Sequence, residues 1–436
     1  MTAIQTGPAS QTGPATPAPP AATALLRLAT AGSVDDGKST LIGRLLHDSS
    51  ALFDDQLEAV AASSARRGHE GIDLSLFTDG LRAEREQGIT IDVAYRYFAT
   101  PRRTFVIADT PGHAQYTRNM VTGASTADLA VILVDVQGGL TEQSRRHACV
   151  ASLLGIRQVV LAVNKMDLVG FSENAFDAVV DAFLGFAAGL ELDSVTPIPI
   201  SALLGDNVVE PSAAMAWYGG PTLLGHLERA PVGRSAAVAT GARLPVQWVH
   251  RPAPGQPRGA RAYSGTLAGG VLRPGDEVVV LPSGTRTTVA ALETFDGPLA
   301  EAVPPLSVTV RLADDLDVGR GDLLASAADP ATVTREFEAV ACWLDERPAR
   351  PGGRYLLKHT TRTTRAVLRE VVHAVDVNSL VAAPASTLAA NDLGRMRLAT
   401  ADALAVDSYA ANRVTGSFIL IDEATHATVA AGMVSP

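Results

Sequence analysis

The residues Gly32-Ser33-Val34-Asp35-Asp36-Gly37-Lys38-Ser39 fit the spacing G-x-x-x-x-G-K-[ST]. An apolar run of strand length, Leu25–Ala31, precedes them, and an apolar helical stretch, Leu41–Leu46, follows after Thr40. That context makes the segment a phosphate-binding loop. Its two glycines let the backbone fold tightly, so that successive N–H groups face phosphate oxygens. The helix that follows turns its positive end toward the same anion. Lys38 would reach the outer phosphates of a nucleoside triphosphate, and Ser39 would offer its hydroxyl oxygen to Mg²⁺. Three further segments narrow the ligand. Asp109-Thr110-Pro111-Gly112 ends another apolar run. Its carboxylate suits Mg²⁺, held through water, and Gly112 lets a backbone N–H come close to the terminal phosphate. Asn164-Lys165-Met166-Asp167 ends a third. The Asp167 carboxylate can accept two hydrogen bonds from the N1–H and 2-amino groups of guanine, a donor pair that adenine lacks. The Lys165 stem can cover the base. Ser201-Ala202-Leu203 ends the last strand-like run, where its backbone can meet the guanine carbonyl oxygen. Between the first two segments lies Arg85-Glu86-Gln87-Gly88-Ile89-Thr90-Ile91, whose Thr90 hydroxyl can join Mg²⁺ and sense the terminal phosphate.

These loops need a scaffold that aims them at one point. Leu25–Ala31, Thr104–Ala108, Leu129–Val134, Val159–Val163 and Thr196–Ile200 are short apolar runs without alternation, the pattern of parallel strands buried on both faces. Helical stretches such as Leu41–Leu46 and Ser144–Leu154 lie between them. Ile91–Phe98 is rich in aromatic and β-branched residues and is expected to form an edge strand, turning near Thr100-Pro101 into Thr104–Ala108. After Arg229 the composition changes. Ala230–Gly241 reads as a linker, and short strands such as Val278–Leu281 and Val308–Leu312 then recur between turn signals, the pattern of a small β-barrel. A second β-region, with Phe337–Leu344, Tyr355–His359 and Phe418–Ile421, begins near Thr334. The expected division is a tail over 1–22, a nucleotide domain over 23–229, a first barrel over 241–328 and a second over 329–436.

At 436 residues the chain is long enough for two or three domains, and 47% hydrophobic residues supply their cores. No apolar stretch reaches the length of a membrane span. The first 22 residues are Pro-, Ala- and Thr-rich without a charge, unlike a secretory signal, and are expected to be disordered. Two cysteines make no disulfide framework and no zinc spacing, so both are expected to be buried in a reducing cytoplasm. A net charge of −10 without a basic block argues against a general nucleic-acid binder.

With Gly32–Ser39, Glu86–Ile91, Asp109–His113, Tyr116–Ala124 and Asn164–Asp167 in place, the sequence resembles the translation-factor GTPases. That resemblance implies an α/β P-loop GTPase domain followed by two small β-barrels. It also implies that His113 positions the water that attacks GTP. Within that superfamily the sequence is most similar to the large, GTP-binding subunits of bacterial sulfate adenylyltransferases. The likeness is carried by Asp79–Phe98, Ile107–Ser125, Trp217–Leu224, Tyr263–Leu267, Thr294–Gly297, Arg320–Leu324 and Val375–Leu380, and by Ser33 and Asp36, which stand where elongation factors usually have two His residues. It covers about Leu25 to Gly432; Pro252–Arg261 departs from it.

The resemblance implies a chain that hydrolyses GTP to drive formation of adenosine 5′-phosphosulfate and pyrophosphate from ATP and sulfate. Neither a Ser-Gly-Gly-x-Asp-Ser-type pyrophosphate loop nor a second G-x-x-x-x-G-K-[ST] occurs. The adenylyl transfer is therefore expected on a separate small subunit, with GTP and Mg²⁺ as the cofactors of this one. A fused adenosine-phosphosulfate kinase domain is not expected, since the sequence runs to Pro436. The alternative is an elongation factor that delivers aminoacyl-tRNA; Ser33, Asp36 and the Asp92–Phe98 strand favour the first reading.

Overall fold

A computed structural model describes residues 25–49, 93–113, 116–232, 240–251 and 261–435. The expected tail, the Arg85–Ile91 segment with Thr90, and most of Pro252–Arg261 lie outside these.

Three sheets are built in chain order. The first has six strands: β1 (Leu25–Gly32), β2 (Ala94–Ala99), β3 (Thr104–Asp109), β4 (Leu129–Asp135), β5 (Gln158–Asn164) and β6 (Ser194–Pro199), in the order β2-β3-β1-β4-β5-β6. All neighbours run parallel except β2, the edge strand, which pairs antiparallel with β3. Thr100 and Arg103 close that hairpin through two backbone bonds. The apolar runs lack alternation because both faces are covered. Along β4, Ala130, Ile132 and Val134 enter one core, whereas Leu129, Val131 and Leu133 enter the other. Helices α1 (Lys38–Asp48) and α5 (Leu223–Arg229) cover the second face; α3 (Glu142–Leu153) and α4 (Glu173–Ala187) cover the first, with α2 (Thr117–Ala124) beside them. Thr141, Ser172 and Thr222 start α3, α4 and α5, each hydroxyl accepting a backbone N–H of the first turn.

The second sheet comprises β7 (Arg243–Pro245), β8 (Trp248–His250), β9 (Ala262–Thr266), β10 (Glu277–Leu281), β11 (Thr285–Thr294), β12 (Gly297–Leu299), β13 (Ser307–Leu312) and β14 (Leu323–Ser326). Its path runs β7-β14-β10-β11-β13-β9-β8, with β12 on β11. Here the strands do alternate: in β13, Val308, Val310 and Leu312 are buried while their neighbours are not. The third sheet holds β15 (Thr332–Trp343), β16 (Arg354–His359), β17 (Arg362–Val375), β18 (Ala382–Pro384), β19 (Leu393–Val406), β20 (Ser417–Ile421) and β21 (Thr428–Val434). The order β16-β20-β21-β15-β19-β17 returns to β16 through a β16–β17 pairing, so six strands close into a barrel and leave no free edge among themselves.

The three units are fastened to one another. Arg243 is 1% exposed; it donates from Nε and Nη2 to both carboxylate oxygens of Asp407 at 2.9 and 3.0 Å, which ties the second sheet to the third. Tyr409 Oη donates to Leu154 O at 2.8 Å, and Arg413 donates to Ala127 O and Ser125 O, which ties the closed barrel to the first unit. Cys149 and Cys342 are both buried in the apolar cluster that crosses this seam. A cavity of about 790 Å³ lies there too, lined in part by Cys149, Leu153, Leu380 and Tyr409 and by none of the nucleotide-loop residues. Among the described residues no helix is long and apolar enough to cross a membrane.

Candidate functional site

Parallel strands all point one way, so the loops that leave β1, β3, β5 and β6 emerge at one edge of the sheet. The loop after β1 bends sharply: Gly32, Asp35 and Gly37 have φ of 154°, 63° and 93°. Gly37 sits in the left-handed region before α1, and a Cβ there would come within 2.4 Å of Asn164 Nδ2. Only glycine therefore fits on both counts. Val34 and Asp35 are exposed at the loop tip, and Ser39 and Thr40 stand half-buried in the first turn of α1.

Lys38 is buried and its ammonium lies inside the loop, donating to Gly32 O at 3.1 Å and Ser33 O at 2.6 Å. Burial pulls its pKa below the usual lysine value, against the opposing pull of Asp36, Asp109 and Asp35. Asp36 turns back into the loop and accepts the Ser33 N–H. Burial raises its pKa despite that bond and the nearby Lys38. Ser33 and Asp36 are thus joined to each other.

The second loop closes on the first. Asp109 ends β3 opposite Thr30 of β1, is 1% exposed, and has Thr30 Oγ1 at 3.4 Å. The Thr110 hydroxyl donates to Thr30 O at 2.5 Å. Pro111 is buried, and a Cβ on Gly112 would lie 2.5 Å from Lys38 Nζ and 3.0 Å from Gly32 O. Gly112 thus lets the two loops touch. His113 follows, half-buried, with its ring edge-on to Tyr116 at 6.0 Å between centroids.

The base-side loops are stitched by two side chains. Asn164 donates to Asp36 O at 2.7 Å and accepts the Ala202 N–H at 2.9 Å, so one amide spans from the phosphate loop to the loop after β6. Ser201 Oγ donates to Asp167 Oδ1 at 2.7 Å, orienting that carboxylate, and accepts the Leu204 N–H. Met166 is wholly buried beneath, and Leu203 is exposed above. Lys165 has φ of 64°, a left-handed conformation costing about 1 kcal/mol or more for a residue with a Cβ. Its ammonium holds Asp135 at 2.7 Å. Burial lifts the Asp135 pKa, but the Lys165 hydrogen bond and charge and the Gln137 and Gly138 amides outweigh it, and the net shift is downward.

Every candidate within the described residues thus falls on this one edge of the sheet; Thr90 alone lies outside them. The sequence reading passed over three residues. Asp135 ends an apolar strand as Asp109 does, and that signal was open to use. Arg44 of α1 donates to Ala202 O and Leu203 O, linking the phosphate-loop helix to the base loop. His147 of α3 accepts the Gly32 N–H at 3.0 Å. No spacing pattern marks either of these last two, because their partners are backbone groups more than a hundred residues away.

A phosphate loop, a magnesium-type carboxylate loop and a guanine-type carboxylate loop on one parallel sheet, followed by two β-barrel units, define a GTPase of the translation-factor type. Residues 23–239 match the family Elongation factor Tu GTP binding domain, and residues 336–435 match the family GTP-eEF1A C-terminal domain-like. The chain is 58% identical over 414 residues to the bifunctional enzyme CysN/CysC of Mycobacterium tuberculosis, covering 94% of this chain and 67% of that one. It is 51% identical over 413 residues to sulfate adenylyltransferase subunit 1 of Aeromonas salmonicida, covering 94% and 87%. Identity to subunit 1 of Methylorubrum extorquens is 52% over 412 residues, with the same coverage. The chain belongs to the sulfate adenylyltransferase subunit 1 family.

Proposed function

We propose that this chain is the GTPase subunit of a sulfate adenylyltransferase, binding GTP with Mg²⁺ and coupling its hydrolysis to adenylyl transfer on a small partner subunit. The observation that carries the proposal is the stitched edge of the first sheet: Asn164 and Gly112 join four loops whose residue types suit guanine, phosphates and a hard cation. The elongation-factor alternative is not favoured, since the likeness to sulfate adenylyltransferase subunits runs through 94% of the chain.

In this reading the backbone of Gly32–Lys38 and the start of α1, with Ser39 and Thr40, hold the phosphates, and Lys38 neutralises their charge. Asp167, oriented by Ser201, reads the guanine edge, and the backbone of Ser201-Ala202-Leu203 borders it. Asp109 and the Ser39 hydroxyl are hard oxygen donors that fit Mg²⁺, joined by Thr90; when bound, the ion would neutralise charge at the β- and γ-phosphates. His113, next to the Gly112 contact, orients the attacking water. Forming a sulfate–phosphate anhydride is uphill, so coupling requires the GTP and GDP states to contact the partner differently. A Cβ on Gly112 would lie 2.5 Å from Lys38 Nζ, and that closeness supports a loop that responds to the terminal phosphate.

The test is co-purification with a small adenylyl-transferring subunit, followed by pyrophosphate release from ATP and sulfate. GTP should raise the yield of adenosine 5′-phosphosulfate well above its level without GTP. Equal yields with and without GTP would refute the coupling role.

A further inference from the structure

His147 lies in α3, a helix to which the reading above gives no part in nucleotide binding. It is 1% exposed and packs where α3 lies against β1. Its Nδ1 is 3.0 Å from the backbone N of Gly32, the first residue of the phosphate loop, and its Nε2 is 2.9 Å from the Gln143 amide one turn earlier. A backbone N–H can only donate, so Nδ1 is the acceptor and Nε2 carries the proton. The Gln143 atom at that distance is its amide Nε2; with that amide turned over to present its oxygen, Gln143 accepts the Nε2 proton and fixes the tautomer. Burial, with Lys38 and Arg146 nearby, holds the ring neutral, with a pKa of about 3.

The geometry matters because of where Gly32 sits. It is the last residue of β1, paired with Leu133 of β4, and its φ of 154° starts the turn that carries the next amides toward the phosphates. A Cβ on Gly32 would meet Leu133 O at 2.8 Å, so the backbone is already pressed against β4. Its N–H donates to His147 of α3. The carbonyl of the same residue accepts from Lys38 at 3.1 Å. His147 and Lys38 thus hold the N–H and the C=O of one residue, on either side of its Cα.

We propose that His147 is a positioning residue of the nucleotide site: by accepting the Gly32 N–H it keeps the phosphate loop in the conformation that binds GTP. The proposal rests on the assignment of Gly32–Ser39 as the phosphate loop. Without the acceptor, a buried N–H is left unpaired, and the loop gains by moving away from the binding geometry. Apparent affinity then falls by the fraction of molecules that keep that geometry.

The experiment is titration of the full chain with a fluorescent guanosine diphosphate, with release rates measured by chase. His147→Leu should weaken binding by about tenfold or more, through faster release. His147→Asn places a carbonyl oxygen near the Nδ1 position and should recover most of that loss, which a merely space-filling role would not allow. Gln143→Leu, which frees the tautomer, should weaken binding about threefold, and it decides the matter if His147→Leu fails to fold. Nucleotide release unchanged in both Leu variants, or an Asn variant as weak as the Leu variant, would overturn the proposal. Absence of saturable binding by the unaltered protein would instead overturn the assignment of the loop itself.

Discussion

The first sheet and the two β-barrel units solve opposite problems. In the first sheet β1, β3, β4, β5 and β6 all run the same way, so loops far apart in the chain leave from one edge and meet. In the barrels paired strands run antiparallel, so their turns are shared between two ends. The polar side chains buried between the barrels do something else. Arg243 with Asp407 and Thr415 clamps one barrel to the other, and the hydrogen bond and charge of Arg243 carry the Asp407 pKa down against its burial. The candidate site residues are thus gathered at one sheet edge, while Arg243 and Asp407 join the second sheet to the third.

Three substitutions test that division. Lys38→Ala should produce the largest change. Removing two charge-assisted phosphate contacts of about 2 kcal/mol each weakens GTP binding on the order of a thousandfold. The melting behaviour of the barrels should not change; calorimetry with and without GTP reads both quantities. If binding persisted within a few-fold, the phosphate assignment would be wrong. Next, Arg243→Leu leaves the buried Asp407 carboxylate without its cation, which should cost about 3 kcal/mol of stability. Denaturant unfolding measures that loss, and guanine nucleotide affinity should stay within about twofold. A large fall in affinity would show that the inter-barrel clamp and the site are not separable. The smallest effect, about a hundredfold, is expected from Asp167→Asn. It exchanges two hydrogen bonds to a carboxylate for a mismatch with guanine and should turn preference toward xanthosine triphosphate, whose 2-keto group accepts where guanine donates. Competition binding reads the ratio, and an unaltered preference for GTP would remove Asp167 from base recognition.

The parts of the site that could be read in advance are those in which the chain brings its own partners. Gly32 to Ser39 is a continuous loop flanked by a strand and a helix, so its spacing alone specifies the turn and the amides it presents. Asp109 and Asn164 each end a doubly buried apolar run, and a polar residue at such a place marks a strand end. The helix starts at Thr141, Ser172 and Thr222 rest on equally local bonds, which the sequence reading passed over: each hydroxyl caps the amide three residues ahead of it. Arg44 and His147 were not legible: each bonds a backbone group 115 or more residues distant, and a backbone group has no residue type for a pattern to detect. The closure of the third sheet was hidden for a similar reason. Tyr355–His359 is readable as a strand, but the pairing of β16 with β17 as well as with β20 comes from register and twist around the whole circuit.

By itself the sequence determined which atoms this protein can offer a nucleotide: a turn of amides, one ammonium, carboxylates for a cation and for guanine, and the apolar runs that must bury them. Those properties depend on residue type and on neighbours a few positions away. Only the tertiary structure decided that Asn164 would join the phosphate loop to Ala202, that Gly112 would lie against Lys38, that Ser201 would aim Asp167 and that Arg243 would lock the barrels together. Each of those contacts requires segments remote in the chain to reach the same place. Parallel pairing and packed cores set that place, because they satisfy every strand at once rather than any one segment.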